Sequence, residues 1–166
     1  MKIGIMGGTF NPIHNAHLLI AEMAREEYGL DRVIFITDGN PPHKSANVTA
    51  KQRFEMTHIA IADNSAFEED DFEINRSEKS YTVNTLGYLK EKYPNDDLFF
   101  IIGEDSLNDF DKWYKPDKIL EMCSLLVFPR KSLKSLTETI KAVKEKMNGR
   151  IFPISAPVFR ISSRSE

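Results

Sequence analysis

The opening segment, residues 1–17, constrains the fold more than any other part of the sequence. A short apolar run around Ile3 and Ile5 leads into Gly7-Gly8-Thr9-Phe10-Asn11-Pro12-Ile13-His14-Asn15-Ala16-His17, where a helix is predicted to begin. In open α/β sheets, ligands bind at the carboxyl ends of the strands. Glycine lets the backbone approach a phosphate, and a helix N-terminus offers unpaired N–H groups to an anion. The segment therefore predicts an anion site, although it matches neither G-x-G-x-x-G nor a Walker A loop.

The rest of the chain alternates short apolar runs with helical patterns. The predicted strands are Lys2–Met6, Arg32–Thr37, Asp71–Ile74, Asp97–Ile102, Ser124–Phe128 and Arg150–Ile154. Four helices are predicted: the first capped by Asn15 and ended by Gly29, the second opened by Thr49 and Gln52, the third from Thr82 to about Tyr93, and the fourth from Ser135 or Thr137 to Met147. Continuous apolar strands separated by helices indicate a sheet covered on both faces. We expect an α/β fold, Rossmann-like and doubly wound, with a mainly parallel sheet.

Length and composition narrow the class of protein. The 166 residues fit a single domain spanning residues 1–166, and the net charge of −3 gives no global positive field that would attract nucleic acid. No apolar run reaches membrane-spanning length, and no signal peptide is evident. Cys123 is the only cysteine and cannot form an intrachain disulfide, which favours the cytoplasm. We expect neither nucleic-acid nor membrane partners, while a homo-oligomer remains open.

Two loops stand out because they are long. Residues 38–48 are polar and contain Pro41-Pro42-His43-Lys44 after the second predicted strand, where stiff prolines could hold a cation near a phosphate. The alternative is a rigid exposed turn with a solvated lysine. The other loop, residues 64–71, carries Glu68-Glu69-Asp70-Asp71, which we interpret as a solvated acidic loop.

His14 and His17 could serve three chemistries. As metal ligands they supply only two donors, whereas zinc usually takes three or four from the protein. As general bases they are not required if the nucleophile is a phosphate monoester, which is largely dianionic at neutral pH. As hydrogen-bond donors they could stabilise charge on a transferring phosphoryl group, since such transfer depends on positioning and electrostatics. The spacing at a helix start suits this third role best.

Three further segments carry candidate site residues, each with a structural alternative. Ser80-Tyr81-Thr82-Val83-Asn84-Thr85 opens a helix with hydroxyl groups that suit a carboxylate; alternatively, Thr82 simply caps the helix. Asp105 follows a predicted strand and could accept hydrogen bonds from a ribose, or serve as a helix cap. Trp113, the only tryptophan, precedes Tyr114 and could stack on a flat cationic ring, or pack in the core.

These segments together resemble a known family. His14-Asn15-Ala16-His17, Pro41-Pro42-His43-Lys44, Ser80-Tyr81-Thr82, Gly103-Glu104-Asp105 and Ile161-Ser162-Ser163 resemble, in the same order, motifs of bacterial nicotinate-nucleotide adenylyltransferases, members of the HxGH nucleotidylyltransferase superfamily. Alanine at position 16 stands where the superfamily has glycine. The resemblance implies adenylyl transfer from ATP to nicotinate mononucleotide, giving deamido-NAD and pyrophosphate, with Mg²⁺ carried by ATP and no metal site on the protein.

The resemblance also implies a role for each matching residue. The catalytic residues would be His17, His14 and Lys44. ATP would contact Gly7, Gly8, Thr9, Phe10, His14, His17, Gly103, Asp105, Ser162 and Ser163. Nicotinate mononucleotide would contact Lys44, Thr85, Trp113 and Tyr114, with Thr85 against the ring carboxylate.

One departure leaves alternatives open. In the family, Ile-Ser-Ser is followed a few residues later by Ile-Arg, whose arginine binds phosphate, whereas this sequence ends at Glu166. Neither Arg160 nor Arg164 takes the position of that arginine. Either the C-terminal helical part is missing from the sequence, or the protein lacks this phosphate contact. The alternatives are a nicotinamide mononucleotide, phosphopantetheine or cytidylyl-transferring relative, and a nucleotide-binding sensor without catalysis.

Overall fold

The computed structural model describes residues 1–8, 10, 13–39, 49–76 and 81–155. Its strands are β1 Lys2–Gly8, β2 Arg32–Thr37, β3 Phe67–Asp70, β4 Asp97–Gly103, β5 Ser124–Phe128 and β6 Ile151–Pro153. Its helices are α1 Asn15–Tyr28, α2 Ala50–Ile61, α3 Thr82–Lys92, α4 Glu104–Asn108, α5 Pro116–Met122 and α6 Leu133–Lys146, with a 3₁₀ turn at Phe110–Lys112. Four residues to which the motifs assign roles, Thr9, Lys44, Ser162 and Ser163, lie outside the described residues.

The strands form one six-stranded sheet in the order β3-β2-β1-β4-β5-β6. Every neighbouring pair in this sheet is parallel. The chain builds outward from β1 to β3 and then returns to the other side of β1 through β4. The predicted Rossmann-like, doubly wound fold is confirmed, and its topological switch point lies between β1 and β4.

Apolar side chains alternate between the two faces of the sheet. Ile34 and Ile36 point to the core formed with α3, α4, α5 and α6, whereas Val33 and Phe35 point to the core formed with α1 and α2. Successive residues of a strand face opposite sides, so a strand covered on both faces must be apolar at every position. The continuous apolar runs in the sequence have this cause.

The helix ends follow the predicted capping rules with some shifts. Gly29 ends α1 in the left-handed region, at φ +65°, and Thr49 and Gln52 form the predicted capping box of α2. The cap of α1 is His14 rather than Asn15. Helix α3 begins at Thr82, after Tyr81, so Thr82 is not its cap, and α6 begins earlier than predicted because Ser132 accepts a hydrogen bond from the Ser135 backbone N–H (3.0 Å). The short helices α4 and α5 and the 3₁₀ turn were not predicted.

The third strand and the acidic loop were both predicted wrongly. Strand β3 occupies Phe67–Asp70, and the residues predicted as a strand, 71–74, lie after it, where residues 72–75 form a turn. Each acidic side chain of this edge strand has a basic partner on a neighbouring element: Glu68 with Arg32 at 3.1 Å, Glu69 with His58 at 2.9 Å and Asp70 with Lys92 at 3.1 Å. Paired carboxylates can lie in a strand where unpaired ones would favour solvent.

Candidate functional site

A cleft of about 380 Å³ opens at the carboxyl edge of the sheet, at the switch point between β1 and β4. Ligands of doubly wound sheets bind at this position. Backbone and side-chain atoms from three directions form its walls: the end of β1 with α1, the end of β4 with α4, and the turn after β3 with α3. Its polar side chains include His17, Asp38, Glu73, Thr82, Thr85 and Ser106.

Two glycines end β1 at the cleft, and they are glycine for different reasons. A Cβ on Gly8 would lie 2.9 Å from the ring of Phe10, so the protein itself excludes a side chain there. A Cβ on Gly7 would meet only ordinary contacts at 3.9 Å, to the Ile36 carbonyl oxygen and the Phe100 ring. The fold therefore tolerates a methyl group at Gly7. That methyl group would take up space in the cleft.

Phe10 supports the end of β1 from beneath. Its side chain is only 4% exposed, packs against Phe35 and meets the His17 ring edge-on, with centroids 5.5 Å apart. Its backbone lies at φ +49°, a conformation that costs a non-glycine residue about 1–2 kcal/mol. The buried ring is not part of the cleft lining; it holds the His17 ring in place.

His14 and His17 are linked through the start of α1. The His14 backbone N–H donates to Nδ1 of His17 (3.0 Å), and the two ring centroids lie 5.7 Å apart. Since Nδ1 of His17 accepts this bond, the neutral ring carries its proton on Nε2. His17 lines the cleft, so this tautomer offers an N–H donor at the site. Nε2 of His14 is buried and has no hydrogen-bond partner among the described residues.

A buried carboxylate positions the β4 side of the cleft. Glu104 accepts hydrogen bonds from the Arg130 backbone N–H and from the hydroxyls of Ser135 and Thr139, each at 3.1 Å, and so ties α4 to α6. This contact holds Gly103 and Ser106 at the cleft. Asp105, in contrast, is two-thirds exposed and pairs with Arg130 at 3.2 Å, outside the cleft lining.

The third wall depends on the turn that follows β3. Asp70 accepts hydrogen bonds from the Phe72 backbone N–H (2.8 Å) and the Tyr88 hydroxyl (3.0 Å), while the Phe72 and Tyr88 rings stack with centroids 4.2 Å apart. This arrangement fixes the turn against α3. It places Glu73 where Thr85 Oγ1 donates a hydrogen bond to its Oε2 at 2.6 Å.

Burial is the main cause that raises the pKa of Glu73 to about 7. The Thr85 hydrogen bond opposes the rise, Asp38 adds to it, and Arg76 opposes it. Because the shift stabilises the protonated form, this carboxyl group changes charge close to neutral pH.

Trp113 and Tyr114 differ in their surroundings. Trp113 lines the cleft while packing against Phe110 and Phe100, with ring centroids 5.0 Å and 6.1 Å apart. Tyr114 is 49% exposed and lies against Tyr81, at the start of α3, with centroids 4.6 Å apart. The indole therefore belongs both to the core and to the cleft wall.

Comparison with known proteins decides the family. The cytidylyltransferase-like family profile matches residues 5–164 of this chain, which is nearly its whole length. The chain belongs to the cytidylyltransferase-like family.

Within the cytidylyltransferase-like family, the chain is similar to nicotinate-nucleotide adenylyltransferases. It is 48% identical over 144 residues to the "Probable nicotinate-nucleotide adenylyltransferase" of Citrifermentans bemidjiense, covering 84% of this chain and 67% of that protein. The protein of the same name from Caldicellulosiruptor saccharolyticus is 39% identical over 165 residues, covering 98% of this chain and 83% of the relative. The chain thus spans about two thirds of the length of the first relative.

A solved structure supports the fold. The nicotinic acid mononucleotide adenylyltransferase of Plasmodium falciparum, complexed with NaAD, superposes with a TM-score of 0.78 at 23% identity. The match covers 99% of this chain and 81% of that one. The cytidylyltransferase-like chain and this enzyme therefore share one α/β architecture.

For this cytidylyltransferase-like chain, the structure brings together six of the residues singled out from the sequence: Gly7, Gly8, His17, Thr85, Gly103 and Trp113 line one cleft. His14 lies beside His17, while the side chains of Phe10, Asp105 and Tyr114 are not part of the lining. Sequence reasoning missed Asp38, Glu73 and Ser106. For Glu73 the only signal in the sequence is its position two residues after the acidic run, whose composition indicates a solvated loop.

Two negative observations complete the description of the site. Among the described residues, no group of three or more His, Cys, Asp or Glu side chains could hold a metal ion. In the same part of the chain, no helix combines the length and the apolar character needed to cross a membrane.

Proposed function

We propose that the chain transfers the adenylyl group of ATP to nicotinate mononucleotide, forming nicotinate adenine dinucleotide and pyrophosphate. The observation that carries this proposal is the position of His17, with its Nε2–H donor, in the same switch-point cleft as Gly7, Thr85 and Trp113. Family membership supplies the reaction class, and the relatives supply the substrates by name.

The reaction needs one displacement at phosphorus. A phosphate oxygen of the mononucleotide attacks the α-phosphorus of ATP, and the bond from that phosphorus to the oxygen that links it to the β-phosphorus breaks, so that pyrophosphate leaves with that oxygen. The attacking phosphate is largely dianionic at neutral pH, so no general base is required. His17 donates from Nε2 to a phosphoryl oxygen as negative charge shifts toward the leaving group.

The remaining ATP contacts come from the end of β1 and from the cap residue of α1. Gly7 and Gly8 let the triphosphate lie close to the strand end, and the buried, unpartnered Nε2 of His14 is available to a phosphate oxygen. Mg²⁺ enters as part of the MgATP substrate, held by phosphate oxygens and water. The roles proposed for Thr9, Lys44, Ser162 and Ser163 rest on the motif resemblance alone, as do direct ATP contacts by Phe10, Gly103 and Asp105.

The mononucleotide would occupy the α3 side of the cleft. The Trp113 indole offers a stacking surface for the cationic pyridine ring, and Thr85 offers a hydroxyl to the ring carboxylate. Tyr114 would contribute through its backbone, since its side chain leans on Tyr81 outside the lining.

We assign the reaction to the cytoplasm, because a sequence with a single cysteine, Cys123, forms no intrachain disulfide.

The Cys123 thiol is not part of the proposed chemistry, because burial raises its pKa to about 12. The thiol therefore stays protonated and takes no part in the transfer.

The decisive assay is pyrophosphate release from purified protein, ATP and Mg²⁺ with a panel of acceptors. The panel contains nicotinate mononucleotide, nicotinamide mononucleotide and phosphopantetheine, and a reaction without acceptor gives the background. Release with nicotinate mononucleotide, accompanied by a dinucleotide product, supports the proposal. Preferential release with another acceptor would assign the cleft to that substrate, and nucleotide binding without release would indicate a sensor.

Replacing Trp113 with alanine should raise KM for nicotinate mononucleotide about tenfold while leaving KM for ATP within about twofold, because loss of one stacking surface costs about 1–3 kcal/mol. Steady-state kinetics with each substrate varied in turn measure both constants. Circular dichroism checks that the variant is folded, since the indole also packs on Phe110. An effect confined to ATP would reverse the assignment of the two subsites.

Replacing Gly7 with alanine should raise KM for ATP about tenfold with little change in the free energy of unfolding, since a Cβ there meets protein atoms only at 3.9 Å. Gly8→Ala is the matched comparison: its Cβ would lie 2.9 Å from the Phe10 ring, so stability should fall as well. Urea denaturation and ATP titration separate the two effects. Unchanged ATP affinity in Gly7→Ala would contradict the proposal that the triphosphate lies against the end of β1.

A further inference from the structure

The hydrogen bond between Thr85 and Glu73 has a consequence for substrate choice. Both residues line the cleft, and Thr85 Oγ1 lies 2.6 Å from Glu73 Oε2. This separation falls in the range of charge-assisted O–H···O⁻ bonds. A threonine hydroxyl has only one proton, so the partner that receives it decides what the oxygen offers to a ligand.

The two charge states of Glu73 give Thr85 opposite roles. When Glu73 is ionised, Thr85 donates its proton to the carboxylate and presents only lone pairs, which accept from an N–H group such as that of a carboxamide. When Glu73 is protonated, its O–H can donate to Thr85 Oγ1. The hydroxyl proton, whose other acceptor in the structure is the Tyr81 carbonyl oxygen at 3.5 Å, can then be donated to a carboxylate. Protonation also removes a negative charge beside any carboxylate ligand.

The groups around Glu73 make both states accessible. Asp38, at the end of β2, disfavours a second negative charge, whereas Arg76 in the same turn favours it. Thr85 on α3 stabilises the ionised form, and His17 on α1 lines the same cleft. Burial outweighs these opposing effects and brings the pKa of Glu73 to about 7.

We propose that Glu73 determines the preference between acid and amide acceptors by deciding whether Thr85 donates or accepts at the substituent of the pyridine ring. This inference rests on the proposed function, in which Thr85 faces that substituent. Glu73 acts through Thr85 and is a positioning residue. The preference for nicotinate over nicotinamide mononucleotide therefore falls as pH rises through neutrality.

The first test is the ratio of kcat/KM for nicotinate mononucleotide to kcat/KM for nicotinamide mononucleotide, measured from about pH 6 to about pH 8.5. Both acceptors carry the same phosphate, and both reactions use ATP and His17, so their titrations cancel in the ratio. We expect the ratio to fall by about tenfold, with a midpoint near the pKa of Glu73. A ratio that stays constant over this range would overturn the inference.

Glu73→Gln identifies the titrating group. Glutamine keeps the size and hydrogen-bonding capacity of the side chain but has no proton to lose, so the ratio should become independent of pH. Glu91→Gln, on the exposed side of α3, is the matched control and should keep the wild-type profile. A wild-type profile in Glu73→Gln would assign the titration to another group and overturn the inference.

Calorimetry gives a readout that does not depend on turnover. At a pH just above 7, nicotinate mononucleotide should take up more protons on binding than nicotinamide mononucleotide, because its carboxylate selects protonated Glu73. The slope of binding enthalpy against buffer ionisation enthalpy measures this uptake, and Glu73→Gln should abolish the difference. Equal uptake for both ligands would overturn the inference. Absence of pyrophosphate release with either acceptor would instead contradict the proposed function.

Discussion

His17→Ala is expected to lower kcat for pyrophosphate release about 10²- to 10³-fold, with a much smaller change in KM for either substrate. The reason is that Nε2–H of His17 is a preorganised donor, held by the bond from the His14 backbone N–H to its Nδ1. Loss of one such donor in other enzymes costs about 2.7–4 kcal/mol of transition-state stabilisation. Single-turnover experiments at saturating ATP and mononucleotide measure the chemical step directly.

Two controls distinguish catalysis from structure. The substitution also removes an acceptor at the start of α1, which should lower the free energy of unfolding by about 1 kcal/mol, so thermal denaturation must show the variant folded at the assay temperature. His58→Ala is the matched histidine control, because His58 is 74% exposed on α2 and pairs with Glu69. Turnover within a few-fold of wild type in His17→Ala would remove this imidazole from the mechanism.

The sheet was largely predictable because its physical cause is visible in the sequence. Residues 33–36 of β2 are buried on alternating faces, so all four must be apolar, and a continuous apolar run between helical patterns indicates such a strand. The same reasoning places β1, β4 and β5 within one or two residues of their ends. The short helices α4 and α5 escaped prediction because each is too brief to show a helical period.

Strand β3 shows where local patterns fail. The acidic composition of Glu68, Glu69 and Asp70 predicts a solvated loop. In the structure they form a strand, because each is paired with a side chain on β2, α2 or α3, which lie elsewhere in the sequence. Only the fold brings these basic side chains to the strand. Tertiary pairing of this kind overrides a local preference and leaves no periodic signal.

The site was predictable to the extent that topology determines it. Parallel strands end at the same edge, so the ends of β1 and β4 had to meet there, and with them Gly7, His17 and Gly103. Glu73 could not be found this way, since its place depends on the turn that Asp70 fixes after a misassigned strand. Phe10 is predicted to contact ATP from its position after Gly7 and Gly8. Its ring lies beside a buried core, however, and packs into that core instead of lining the cleft.

Gly39→Ala is expected to lower the free energy of unfolding by about 3 kcal/mol and Tm by about 6–12 °C. A Cβ at this position would overlap the Glu73 carbonyl oxygen and lie 2.7 Å from the Ile74 Cα, and these are backbone atoms that cannot rotate aside. The turn carrying Glu73 must therefore move. Differential scanning calorimetry measures the loss of stability, and the ratio of kcat/KM for nicotinate to nicotinamide mononucleotide should depend less on pH as the Glu73–Thr85 hydrogen bond lengthens.

Gly87→Ala applies the same chemical change with the opposite expected sign. Gly87 lies inside α3, and a Cβ there meets nothing within 4 Å, so alanine should raise the free energy of unfolding by about 0.5–1 kcal/mol through reduced backbone entropy in the unfolded chain. The pair separates a steric effect from a general effect of glycine replacement. If Gly39→Ala were as stable as Gly87→Ala, the close approach of residue 39 to the Glu73 turn could not be what positions the carboxyl group against Thr85.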